Sequence, residues 1–204
     1  MPLSVGRKEA EKIEYYYAFC QFYEKQYLLS GYYFKKITET YSRSDLAEEC
    51  HFMHALSLVK MSSASHLDQT NTDEAINVLQ TFLNKYPKSE FSDSSNVIVD
   101  KLHHKLELKA YTQTRLYYRL REYKATVVSV DNFKKGFPDA DYNEELAFLK
   151  VDAQYNLAKI SLTQVKKEGK IINLKKQRLE QTISFYNEFI AVSYTHLTLP
   201  TTPY

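Results

Sequence analysis

The chain has 204 residues and a formal net charge of +2, too little positive charge to argue for nucleic acid. No apolar stretch reaches the roughly eighteen residues a bilayer demands, so no membrane-spanning helix is expected. With 4 Gly, 5 Pro and 25% charged residues, the composition excludes a loop-rich chain and favours long helices.

Taken in chain order, the apolar pattern repeats. Ala18 is followed twelve residues later by Ser30, and twelve after that by Ser42. Between the last two come Phe34, Ile37 and Tyr41, which share one helical face with Ser30. In the second copy Ala55 leads, a polar insertion near 61–72 intervenes, and Ala75, Leu79, Phe82 and Tyr86 run to Pro87. The third copy reads Thr114, then Thr126, Val130, Phe133, Phe137 and Pro138. A fourth reads Ala153, an insertion near 161–172 containing KKEGK, then Thr182, Tyr186 and Phe189.

A small residue lets two helices approach closely, and a proline past the helix end forces a turn. Recurring at this spacing, they predict an all-α, TPR-like helix-hairpin solenoid of about four helix pairs. The second helices of the pairs are expected near 27–41, 73–86, 121–136 and 173–190. The helical domain is expected over 1–191. From Val192 the chain turns rich in Thr and Pro, and SYTHLTLPT reads like a translated cloning adapter. Residues 192–204 are therefore set apart as a non-native or disordered tail.

Little in the sequence points to chemistry. His51 and His54 lie one helical turn apart with Cys50 beside them, but no further ligand shares their face. The pair His103–His104 diverges by about 100° on a helix. No nucleophile elbow, phosphate-cradling glycine loop or Cys-x-x-Cys occurs. Glu48–Glu49 and Glu144–Glu145 sit near helix starts, where they favour the positive end of the dipole. Lys134–Lys135 and Lys175–Lys176 read as solvated helix faces. Cys20 and Cys50 both fall in apolar patterns and read as small buried hydrophobes, with a disulfide between neighbouring helices as the alternative. The expectation is a protein without catalytic residues, metal or cofactor, which acts by binding.

The residues after each second helix read YSRSDLAEE, YPKSEFSDSS and FPDADYNEE. With the segments DEAINVLQTFLNKYPKSEFSDSS and LYYRLREYKATVVSVDNFKKGFPDA, they resemble the BamD family of outer-membrane assembly lipoproteins over roughly Tyr15 to Ala158. The resemblance implies a lipid-anchored TPR scaffold on the periplasmic face of the outer membrane. It implies BamA and unfolded outer-membrane proteins as partners. This sequence shows neither a signal peptide nor a lipid-bearing Cys, and reads as truncated at both ends.

In such arrays the first helix of each pair lines a groove. Counting from the small residues, the lining positions are Tyr15 and Phe19, Phe52 and Leu56, Tyr111 and Arg115, and Lys150 and Gln154. Aromatic residues followed by basic ones suit an extended peptide ending in Phe and a carboxylate. The alternative is a cytoplasmic TPR adaptor that clamps a partner's C-terminal peptide. Such clamps place Lys and Asn where this chain has mostly Tyr, Phe and Leu.

Overall fold

A computed structural model describes residues 8–161, 165–167 and 170–197. Eight helices follow one another: α1 Lys8–Tyr23, α2 Tyr27–Thr40, α3 Ala47–Met61, α4 Thr70–Lys85, α5 Ser92–Arg119, α6 Tyr123–Gly136, α7 Asn143–Lys159 and α8 Leu174–Leu197. The architecture is all-α with TPR-like packing of adjacent helices. Its second helices fall where the sequence spacing puts them. The later insertion holds a two-stranded antiparallel hairpin, β1 Val165–Lys167 and β2 Lys170–Ile172, pairing Val165 with Ile172 and Lys167 with Lys170.

The chain forms two compact units, residues 1–106 and 107–204. In the first, α1 to α4 and the first half of α5 enclose a core built on Phe34, Ile37, Cys50, Ala55, Leu79 and Phe82. In the second, Tyr111, Val130, Phe133 and Leu146 form the core. The small positions Ala18, Ser30, Ala55, Ala75, Thr114, Thr126 and Ala153 are all fully buried. At two of these positions a hydroxyl is satisfied across the helix contact. Ser30 bonds Ser57 at 3.2 Å, and Thr114 bonds Ser129 at 2.6 Å. A buried hydroxyl left without a partner would cost about 1–3 kcal/mol, more than the roughly 1 kcal/mol the bond itself gains.

The turns repeat as well. After α2, α4 and α6 an aromatic N–H closes onto the carbonyl four residues back: Tyr41 to Ile37, Tyr86 to Phe82 and Phe137 to Phe133, each at 2.8 Å. Within the helix pairs, α1 and α5 end alike. Lys25 and Arg121 take positive φ, 62° and 61°. The next residue's N–H reaches back five positions, Gln26 to Gln21 and Glu122 to Tyr117. This is a left-handed helix cap filled by residues other than glycine. The insertion before α4 is pinned by the buried Gln69. Its amide donates to the carbonyls of Ala64 and Leu67, and its oxygen accepts from Thr72 Oγ1 at 2.7 Å.

Three expectations shift. Cys20 is exposed and only Cys50 is buried; both thiols are free. In α8 the inward stripe runs Thr182, Phe185 and Phe189, while Tyr186 is 52% exposed. The pattern i, i+3, i+7 serves a helix face as well as i, i+4, i+7, and the interposed hairpin frees α8 from the register of the earlier copies. Helix α8 also runs on through Leu197, across the first residues of the segment set apart at 192. Residues 198–204 lie outside the described residues.

Candidate functional site

Tyr111 and Arg115 sit one turn apart on α5, facing α7. The Tyr111 ring is nearly buried and stacks on Tyr142, with centroids 4.0 Å apart and planes at 20°. Its hydroxyl donates to Glu145 Oε2 at 2.8 Å and accepts from Arg115 Nη1 at 3.0 Å. Arg115 Nε lies 3.8 Å from Glu145 Oε1, and both charged side chains are about half exposed, 53% and 51%. Burial, then the bond to Glu145, raises the Tyr111 pKa, with Arg115 opposing. The phenol therefore stays protonated and acts as a fixed donor to the carboxylate. The result is a guanidinium held in place at the surface by a buried ring.

The same rung exists in the first unit with different chemistry. Tyr15 donates to Glu49 at 2.7 Å. One turn on, where the second unit has Arg115, stands Phe19, 4.7 Å from the Tyr15 ring and 5.0 Å from Phe34. A third rung joins the Tyr118 hydroxyl to Asp152 Oδ2, and that bond helps push the Tyr118 pKa up to about 12. In all three pairs donor and acceptor are 34 residues apart, the length of one TPR repeat. Sequence patterning alone explains Glu49 and Glu145 by helix dipoles and does not single out Tyr118, Tyr142 or Asp152. The recurring Tyr-to-carboxylate interval is the signal that could have found these rungs.

The other lining positions turn inward. Phe52 is buried and stacks on Phe91 at 4.8 Å. Leu56 packs against the same core. Lys150 forms an ion pair with Asp131 at 2.7 Å and lies 3.8 Å from the centre of the Phe185 ring. Gln154 is buried and donates to Gln181 at 2.9 Å. A first helix in a stacked array is contacted on two sides, so a position that faces the next helix is core. Of the four paired positions, Tyr111 with Arg115 leaves a charged group at the surface.

Two concavities accompany these residues. Within the second unit a cleft of about 630 Å³ opens between α5 and α6 over Thr114, Tyr117, Val128, Ser129 and Phe133. It lies on a different face of α5 from Tyr111 and Arg115. Within the first unit a hollow of about 680 Å³ lies between Lys12 and the segment 40–46.

The half-buried His51, the buried His54 and the Cys50 thiol pack in and against the core. His51 lies edge-on to Phe82 and Tyr86, at 5.7 and 6.1 Å. Burial, with Lys85 and His54 adding, holds its pKa down at about 4. Burial likewise lowers His54 and pushes Cys50 up to about 12. A thiol so protonated is a poor nucleophile and a poor ligand. Among the described residues no three His, Cys, Asp or Glu side chains converge to hold a metal. No helix among them is long and apolar enough to cross a membrane.

The family described as YfiO, outer membrane lipoprotein, matches residues 5–171, well over half the chain. No curated protein matches it. The TPR-like helix pairs and this match agree, and the chain belongs to the YfiO family of outer membrane lipoproteins.

Proposed function

We propose that this chain is a non-enzymatic TPR scaffold of the outer-membrane β-barrel assembly machinery, a BamD. On this reading it binds BamA and unfolded outer-membrane proteins at the periplasmic face and promotes their folding and insertion. The observation that carries the reading is the match to an outer membrane lipoprotein family over residues 5–171. Packed helix pairs supply surfaces for binding, and the buried His54 and Cys50 are held in their neutral forms.

The peptide site is the Arg115 cluster. A C-terminal carboxylate would meet the guanidinium through charge-assisted hydrogen bonds, beside the edges of Tyr111 and Tyr142. Loss of such a contact costs about 1–3 kcal/mol, roughly five- to hundredfold in affinity. The test titrates a labelled strand peptide ending in Phe against the full chain, Arg115→Ala and Arg115→Glu, each checked for folding by circular dichroism. Both variants should bind more weakly, and an amidated peptide should lose the difference. Equal binding by all three proteins removes the site. Absence of binding to BamA as well removes the assembly role.

A further inference from the structure

Helices α7 and α8 leave aromatic rings at the surface of the second unit. Phe148 is 60% and Tyr155 46% exposed; they stand seven residues apart on α7 and so on one side of it. Tyr186, 52% exposed, stands one turn before Phe189 on α8. The Phe148 and Phe189 rings approach to 6.1 Å with planes at 58°, which joins the two helices in one patch. Single exposed rings are ordinary on a protein surface, whereas a group of them marks a place where something binds.

Core packing does not call for these rings. The buried positions of α7 are Leu146, Ala153, Gln154 and Ala158, and Phe185, not Tyr186, lies under the Lys150 ammonium. Exposed apolar side chains gain nothing from water, so the gain comes from a ligand that covers them.

The patch adjoins the Arg115 cluster. Glu145, 3.8 Å from the Arg115 guanidinium, stands one turn before Phe148 on α7, and residues at that spacing are neighbours. Asp152, which accepts from the Tyr118 hydroxyl of α5, lies between Phe148 and Tyr155 at the same kind of spacing. Helix α5 therefore flanks the rings along their length, with Arg115 beside the Phe148 end. A ligand with a carboxylate at one end and large apolar side chains just before it matches both features.

The size of the patch selects the kind of ligand. By the helix rise, Phe148 and Tyr155 are about 10 Å apart along α7, the length of about three residues of extended chain. Three half-exposed rings of roughly 200 Å² each offer about 300 Å². Each partner of a stable dimer buries roughly 800 Å², so the patch is too small for a second copy and large enough for two or three peptide side chains.

We propose that Phe148, Tyr155, Tyr186 and Phe189 form the apolar half of the peptide site and select strands with large apolar side chains in the last few residues before the C-terminal carboxylate. The inference rests on the reading of Arg115 as the partner of that carboxylate, and it adds the residues that choose among sequences.

The test titrates the full chain with two labelled strand peptides of equal length and charge. One has Phe at its last and third-last positions and the other has Ala there; each is also made with an amidated C-terminus. Wild type should favour the Phe peptide by about tenfold or more. Phe148→Ala and Tyr186→Ala, each checked for folding by circular dichroism, should bring that ratio down to about threefold or less. Val128→Ala, a similarly exposed truncation on α6, should leave it unchanged. Arg115→Ala should weaken both peptides and keep their ratio. The proposal is overturned if wild type binds the two peptides equally, or if folded Phe148→Ala and Tyr186→Ala keep the wild-type ratio. It is also overturned if wild type is a dimer that Phe148→Glu converts to monomer, which would make the occupant a second copy. Amidation tests the carboxylate and the exchange of Phe for Ala tests the patch, so the Arg115 reading and this inference fail separately. If amidation and Arg115→Ala change nothing while the ratio still collapses in Phe148→Ala, the Arg115 reading falls and the patch stands.

Discussion

Acid should loosen this protein through His51. The ring sits between α3 and α4, edge-on to Phe82 and Tyr86, and its Nδ1 is buried without a hydrogen-bond partner. Burial, Lys85 and His54 together lower its pKa from 6.5 to about 4. A base depressed in the folded state binds its proton more readily when unfolded. Its stabilising effect is therefore complete above the unfolded value of 6.5 and is lost as pH falls toward 4. At about 1.4 kcal/mol for each pH unit between the two values, the full loss is at most about 3–4 kcal/mol. Solvent screening at a ring that is only partly buried brings it below that ceiling. Even about half of it is a sizeable fraction of a typical domain's stability. Urea unfolding of wild type and His51→Phe at pH 7.5, 5.5 and 4.0 would show it. The phenyl ring keeps the aromatic packing and cannot titrate. Carboxylates and His54 titrate in both proteins, so the difference between the two pH profiles isolates His51. The gap should grow in favour of the variant below pH 6.5. Parallel profiles would refute the reasoning and mean that the ring is solvated or finds a partner when charged.

Two further changes probe the scaffold. Arg121→Gly should stabilise by roughly 0.5–1 kcal/mol in urea unfolding, because glycine takes the left-handed cap now occupied by Arg121 without the Cβ penalty. Gln69→Ala removes the amide that satisfies Ala64 O, Leu67 O and Thr72 Oγ1. It should cost about 1–3 kcal/mol and speed proteolytic nicking of the insertion before α4.

The helix pairs were legible in the sequence because their spacing is set by the backbone. Only a small residue permits close approach, so Ala75 or Thr126 announces a contact without knowledge of the partner. Side-chain pairing across helices has no such local rule. Lys150 reads as a free cation until Asp131, nineteen residues away on α6, is brought within 2.7 Å. Gln154 reads as a surface polar group until α8 covers it with Gln181. Glu145 reads as a helix-start charge, and that remains true, but its oxygens also hold Tyr111 and neighbour Arg115. The fourth copy misled for another reason. Thr182, Phe185, Tyr186 and Phe189 allow two inward faces, and only packing on α7 selects Phe185 and Phe189.

If Arg115 reads a peptide carboxylate as proposed, Glu145 should act as its competitor, and this can be measured. In the free protein its carboxylate lies 3.8 Å from the Arg115 guanidinium, where a ligand carboxylate would have to compete. Both side chains are about half exposed, so their mutual attraction amounts to no more than about 1 kcal/mol. Glu145→Gln keeps an oxygen to accept from the Tyr111 hydroxyl and removes the competing charge. Thermal stability should therefore change little, while affinity for a peptide with a free C-terminal carboxylate should rise by up to about fivefold. The gain should vanish for the amidated peptide and in the Arg115→Ala background, since Arg115 is the group released. Asp152→Asn, which removes a charge on the neighbouring Tyr118 rung, should not reproduce it. Calorimetric titration of these variants beside wild type decides the matter. An affinity that falls in Glu145→Gln would show that the ligand uses Glu145 directly, as an acceptor for peptide N–H groups, and that the carboxylate is not read by Arg115.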